Sequence, residues 1–412
     1  MITRKTRFDR SKLLIGTYCI APYARDEAHV RDMKECGIDF LTAAPWDKEL
    51  LDNCQKYGIG VVTTGVIPGW WGGDGDNAGQ FAEKVPLEKI KEGADNYVDH
   101  PAVWGIDSGD EPSALDYEHY GKVIAYAEQL FPDKLIYLNL YPNYASVAEN
   151  NGSEVVSQLG TKTYQEYIDQ YVEKVNTDYI CLDNYEFSAG TAKFYDNLRI
   201  VAQACLDSGR DFWFVIQVNS SKPDIWLNKP MLRHQAFTAL AFGAVSLNWA
   251  CWTAGWWHNE VLDKDGNKTE QYEKLKKVNS ELRTLEPYYM AYKNVSFAFA
   301  GSKSDAAVES SGVPFLPSWS NEIFSDVTPG DGENICVGFM RKREGKGYAL
   351  MISDVTNPAC VDDGSVRTVR FQADPKYKIS VVNSDTQYGL KYENGVYTVT
   401  LDNCGGAMII AE

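Results

Sequence analysis

The 412-residue chain is short of the features that anchor many classes of function. Lys and Arg number 40 against 57 Asp and Glu, a formal net charge of −17. A surface this acidic repels phosphate backbones and anionic headgroups, which argues against nucleic acid or a membrane as a main partner. No uninterrupted apolar run of about 18 residues occurs. The longest apolar segment, around Ala236 to Trp252, is broken by Thr238, Gly243, Ser246 and Asn248, so no spanning helix is expected. The start MITRKTRFDR is basic, but LLIGTYCIAP is too short for the apolar core of a leader and reads as a strand; no signal peptide is expected. Nine Cys form no CxxC and are odd in number, which points to reduced, mostly buried thiols and a cytoplasmic location.

Catalytic signatures are missing too. The five His show no HExxH or paired spacing, so no metal or other cofactor is expected. Neither GxGxxG nor GxxxxGK occurs, which disfavours a dinucleotide or nucleoside triphosphate, and the absence of GxSxG disfavours a serine nucleophile elbow. Asp74 and Asp76 in GGDGDNAG have the spacing of a calcium loop without its later bidentate Glu, and read as a solvated turn. There is no internal repeat beyond an alternation of strands and helices, and nothing reports an oligomeric state.

What is present is a folding composition, 44% hydrophobic and 24% charged, with a surplus of aromatics that includes 11 Trp and 25 Tyr. Eight β-rich runs alternate with amphipathic helical runs. The strands are LLIGTYCI, IDFLTAA, IGVVTTGVI, AVWGIDSGDEP, KLIYLNLYP, TDYICLDNYEF, DFWFVIQVN and VSLNWACWT; helices such as EAHVRDMKECG and DKELLDNCQKYG end on Gly. Eight β-then-α units in this length predict a (β/α)8 TIM barrel over residues 1–290. Beyond Pro287 the helical period disappears. NVSFAFA, ICVGFMRKREGKGYALMISD, VRTVRFQA, KYKISVVN and VYTVTLDN alternate with turns, and predict a C-terminal antiparallel β-sandwich over 291–412 without further helices. Residues 302–332 have no assignable element.

Barrel sites lie at the C-terminal ends of the strands. Those ends supply Tyr18, Tyr23, Trp46, Asp47, Trp70 and Trp71 from the first three units. Units four to six add Asp107, Asp110, Glu111, Asn139, Tyr141, Asn143, Asp183, Tyr185 and Glu186. The last two contribute Gln217, Asn219, Asn248, Trp249, Trp252, Trp256, Trp257 and His258. Aromatic faces with carboxylates and amides on one rim are what a sugar ring and its hydroxyls require. For any single Trp, burial in the core is as common an outcome; the set together favours an oligosaccharide or glycoside site. Asp110-Glu111-Pro112 is the sharpest motif, because two adjacent carboxylates at a strand end push one pKa upward and divide acid and base roles. A surface Asp-Glu opening a helix is the plainer alternative.

WGIDSGDEP resembles the fourth strand of the clan A glycoside hydrolases, which ends in Asn-Glu-Pro with Glu as acid/base. TDYICLDNYEF resembles that clan's sixth strand, with Tyr185 as the tyrosine that contacts the nucleophile. NWACWT resembles the eighth, with Trp252 as the floor of the sugar site, and FWFVIQVN resembles the seventh, which normally carries the nucleophilic Glu. The resemblance implies a glycoside hydrolase with Glu111 as general acid/base. Two positions depart from it: Asp110 replaces Asn, and Gln217 aligns with the nucleophile. An amide cannot form the glycosyl-enzyme of a retaining mechanism.

Three explanations follow. The Asp-Glu pair is similar to that of substrate-assisted β-N-acetylhexosaminidases, which implies that Asp110 orients a 2-acetamido group, that Tyr185 bonds its oxygen and that Gln217 or Asn219 hold hydroxyls. Alternatively, Asp183 or Glu186 is the second carboxylate of an ordinary retaining or inverting enzyme. In the third, the barrel binds sugar without cleaving it.

Overall fold

The computed structural model describes residues 5–71, 77–147, 157–188, 193–355, 361–362, 364–384 and 388–412. Asp74 and Asp76 lie outside the described residues. Eight parallel strands form the barrel: β1 Leu14–Tyr18, β2 Phe40–Pro45, β3 Gly60–Thr64, β4 Val103–Asp110, β5 Leu135–Asn139, β6 Tyr179–Asn184, β7 Asp211–Gln217 and β8 Ala244–Ala250. Their order is β5-β4-β3-β2-β1-β8-β7-β6. The ring closes between β5 and β6 through the Leu140–Leu182 bridge, where the Leu140 N–H donates to the Cys181 carbonyl at 2.9 Å.

The helices follow their sequence signals. Asp26, Asp47, Thr163, Asn228 and Thr269 each accept a backbone N–H from the first turn of the helix they precede. Gly58 and Gly209 end theirs in the left-handed conformation. Pro287 falls inside the Glu270–Tyr289 helix, near its end, and the chain turns toward the second region after it.

Side chains alternate across each strand with period two. Inward positions at the N-terminal end are large: Phe8 meets Phe40, Trp104 and Trp213 at ring-centroid distances of 5.3, 5.4 and 5.6 Å. This plug fills the bottom of the barrel. Gly16 and Gly60 make room for it, since a Cβ there would meet the Phe40 ring at 2.4 Å and the Trp104 ring at 2.1 Å. Space for a ligand is thereby left at the opposite, C-terminal end.

The second region contains β9 Tyr292–Gly301, β10 Phe315–Leu316, β11 Phe324–Pro329, β12 Asn334–Lys342, β13 Tyr348–Asp354, β14 Val366–Ala373, β15 Ile379–Asn383, β16 Lys391–Glu393, β17 Val396–Asp402 and β18 Gly406–Ala411. They form a six-stranded sheet, β10-β9-β12-β13-β18-β15, and a four-stranded one, β11-β14-β17-β16. Trp319, Phe324, Val337, Val369 and Phe371 contribute to the core between them. Two details differ from the sequence expectation. A helix does occur, Ala306–Ser310, started by Asp305 accepting from the N–H groups of Ala307 and Val308; its five residues are too few to show a period. Also, β10 pairs parallel, not antiparallel, to β9.

The six-stranded sheet turns its other face, with Cys336, Met340, Met351 and Met408, into the main core. The Lys229–Ala241 helix is buried along most of its length, as expected of a helix enclosed between two layers. Its Arg233 joins the two regions, donating from Nε to Glu281 at 2.8 Å and from the guanidinium to Asp402 at 3.1 Å. Among the described residues, no helix is long and apolar enough to cross a membrane.

Candidate active site

The site begins with an irregularity at the end of β4. Asp107 pairs with Tyr137 of β5, but Asp110 pairs with Asn139, so β4 spends one residue more than its neighbour. Such a bulge re-aims the side chains that follow it. Asp110 is thereby returned to the inward side that Asp107 occupies. Gly109 adopts φ 141°, and a Cβ there would meet the Tyr120 hydroxyl at 2.5 Å. Glu111 has φ 44°, a left-handed conformation that a non-glycine residue adopts at a cost of about 1–3 kcal/mol. Its N–H donates to the Asn139 carbonyl at 2.9 Å.

Three carboxylates meet at the mouth of the barrel. The Asn139 amide donates to Asp110 Oδ1 and to Asp183 Oδ2, each at 3.1 Å. Asp183, only 3% exposed, is raised well above the ordinary carboxylate range. Burial is the main cause, followed by the charges of Glu111 and Asp110, while Tyr185 and Asn139 favour the anion. Asp110 is raised as well, by burial, against the opposing hydrogen bonds from Asn139 and the Glu111 N–H. Beneath them, Asp107 accepts the Gly109 N–H at 2.9 Å and is pushed up to about 7 by burial and then by Asp110. The Trp71 indole N–H donates to Glu111 Oε2 at 3.0 Å.

These groups line a cavity of about 460 Å³, within the range of small-molecule sites. Of the residues singled out in the sequence, Tyr18, Trp71, Asp110, Glu111, Asp183, Tyr185, Trp256 and Trp257 face it. Trp256 is 63% exposed, an open aromatic surface. Asn139 lies below, as the bridge between two carboxylates. Ser221 also lines the cavity. Tyr144, whose hydroxyl accepts the Tyr185 N–H at 3.1 Å, adjoins Asp183 and Glu111, whose charges raise its pKa further after burial has done so. Ser221 and Tyr144 carry no sequence signal.

The other expected residues are held elsewhere. Trp249 and Trp252 are both fully buried, correcting their reading as sugar platforms. Trp249 follows the inward Asn248 and so points outward, where its indole N–H donates to Asn279 at 2.9 Å. Trp252 packs edge-on against Tyr272 at 6.1 Å. Trp70 stacks on Phe81, offering only its carbonyl to the Asp110 N–H at 3.3 Å. Trp46 lines a separate cavity of about 500 Å³ with Thr64 and Tyr97, its indole N–H on the Val98 carbonyl at 2.9 Å.

Tyr141 is buried beside Tyr164, whose hydroxyl donates to its carbonyl at 2.9 Å. Glu186 accepts the Lys193 N–H at 2.9 Å and serves its own loop. Gln217 and Asn219 are fully buried, their amides donating to the carbonyls of Asn219 and Cys251 at 3.3 and 3.0 Å. His258 faces a neighbouring cavity.

No family model and no curated protein sequence matches the chain. Solved structures do. An Anoxybacillus α-amylase superposes with TM-score 0.51 at 9% identity, covering 98% of each chain. A glucosidase from Croceicoccus marinus gives TM-score 0.45 at 11% identity, covering 98% of this chain and 96% of its own. The catalytic module of a family 98 glycoside hydrolase from Streptococcus pneumoniae gives 0.43 at 10% identity, covering 99% of this chain and all of its own. The α-amylase shares the whole architecture, barrel and trailing β-domain; at these identities what is shared is the fold.

Proposed function

We propose that the protein is a glycoside hydrolase with Glu111 as general acid/base, acting on β-N-acetylhexosaminides with the substrate's own 2-acetamido oxygen as nucleophile. The observation that carries this reading is the Asp110–Asn139–Asp183 bridge beside Glu111. A nucleophilic carboxylate has to be anionic. Burial and the charges of Glu111 and Asp110 raise Asp183 well above the ordinary carboxylate range, which disfavours the anion a nucleophile needs. Gln217 is an amide and sits below the cavity. Asp110 is raised by burial too, but the Asn139 amide and the Glu111 N–H both donate to it and favour its anion.

The steps then balance without an enzyme nucleophile. The acetamido oxygen attacks the anomeric carbon as Glu111 gives its proton to the departing glycosidic oxygen. Asp110 orients the acetamido N–H and offsets the positive charge that grows on it. Glu111, now a carboxylate, takes a proton from the water that opens the cyclic intermediate. Trp71 holds the Glu111 carboxylate in place, and Trp256 offers a face to the ring.

Asp183 itself lines the cavity, which keeps an ordinary two-carboxylate mechanism as the second reading. Hydrolysis of aryl glycosides with and without a 2-acetamido group, by wild type and Glu111→Gln, separates the two. The proposal expects turnover of acetamido sugars alone, abolished in the variant. Equal turnover of plain glycosides transfers the second role to Asp183. Saturable sugar binding without turnover in either form makes the barrel a binding protein.

A further inference from the structure

Trp257 divides two cavities. On one side it lines the carboxylate site, with its ring edge-to-face on Tyr185 at 5.0 Å. On the other it lines a second cavity of about 470 Å³, shared with Tyr23, Trp226, His258, Glu260 and Asp263. We infer that this second cavity binds a further sugar unit, so that the natural substrate is an oligosaccharide lying across Trp257 and not a single sugar on a small leaving group. The inference rests on the proposed glycosidase reading and deepens it.

Three observations support it. First, the cavity joins open aromatic surface to polar groups, the pairing a sugar requires: Trp226 is 41% and Tyr23 39% exposed. Second, its wall is built in advance. The loops after β7 and β8 are fastened together where Ser220 and His258 exchange backbone hydrogen bonds of 3.0 and 2.8 Å. Glu260 accepts the N–H groups of Ala254 and Gly255 at 3.0 and 2.8 Å, and Asn259, at φ 58°, donates to the Ile225 carbonyl at 2.5 Å. A preformed wall lowers the ordering cost of binding. Third, charged side chains of both signs, Glu260, Asp263 and Lys264, line the cavity with His258, so that acceptors and donors for hydroxyl groups share one wall.

The test is calorimetric titration of full-length Glu111→Gln with mono-, di- and trisaccharide ladders of the N-acetylglucosamine, glucose, xylose and mannose series, repeated with Trp226→Ala and Tyr23→Ala added. The expected result is an affinity gain of about tenfold or more from mono- to disaccharide in one series, lost in both added variants while monosaccharide affinity stays within about twofold. The added variants alter exposed side chains, and their thermal midpoints check that the fold is kept. A monosaccharide that binds with no gain for longer chains, or a gain that survives both substitutions, overturns the inference alone. Silence of every ladder overturns the glycosidase reading beneath it.

Discussion

The Trp71 indole N–H donates to Glu111 Oε2 at 3.0 Å, across two loops that leave neighbouring barrel strands. The backbones meet there as well, in a parallel bridge between Trp71 and Asp110. One residue thus fixes the direction of the candidate acid and supplies an aromatic wall to the same cavity.

Replacing that indole separates the two roles. Trp71→Phe keeps a ring and removes the donor, so Glu111 loses its fixed direction. The expected outcome is a fall of about tenfold in kcat, because misplacing a proton donor by a fraction of its bond length is costly. KM should change little. Steady-state kinetics on the best aryl glycoside check this, with Glu111→Gln as the reference at about 10²–10⁴-fold loss.

Asp183 discriminates between mechanisms. If it holds a proton throughout, Asp183→Asn mimics the resident state and retains activity within about tenfold. Asp183→Ala removes the acceptor of an Asn139 hydrogen bond and disturbs Asp110, and should cost more. A loss for Asp183→Asn as large as that for Glu111→Gln would assign it the nucleophile or base role instead.

Asp107 makes stability depend on pH. Its folded pKa of about 7 lies above the unfolded 3.8, so the native state binds the proton more tightly. The associated stability is complete below the unfolded value and is lost as pH rises toward 7, with a slope approaching about 1.4 kcal/mol per pH unit. Asp110 and Asp183 shift in the same direction and add to this loss. Asp107→Asn should flatten the fall in thermal midpoint between about pH 4 and pH 7. Equal slopes in wild type and variant would show that Asp107 titrates normally.

Two tryptophans that look alike in the sequence should behave oppositely. Trp249→Phe strands the Asn279 carbonyl oxygen and leaves a void, for a loss of about 2–4 kcal/mol of stability with KM unaltered. Trp256→Ala alters an exposed wall of the cavity and should raise KM while leaving the unfolding midpoint within about 0.5 kcal/mol. Denaturant titration and kinetics on both variants test the pair.

Local signals were enough for the architecture. Apolar periodicity, capping side chains such as Asp26 and Asn228, and glycines such as Gly58 mark the eight units, because each acts within a few residues of chain. The Asp110-Glu111 pair was legible for the same reason, since a strand and its end are contiguous. The strict alternation of β8 would also have turned Trp249 outward once Asn248 was placed inside, a signal present in the sequence but outweighed by the aromatic count.

The remainder depended on distant segments. Nothing local brings Asn139 between Asp110 and Asp183, or Trp71 onto Glu111; the barrel does that by setting β3 beside β4 and closing β4, β5 and β6 side by side. The bulge that redirects Asp110 is a register relation to β5 and has no meaning within β4 alone. The elevated pKa of Asp183 has the same origin in part, because the like charges that raise it belong to Glu111 and Asp110, more than seventy positions away. Composition and periodicity determined that this chain forms a barrel with carboxylates and aromatics at one rim. Only the tertiary structure decided which of them share a cavity, because electrostatic coupling and access depend on distance through space and not along the chain.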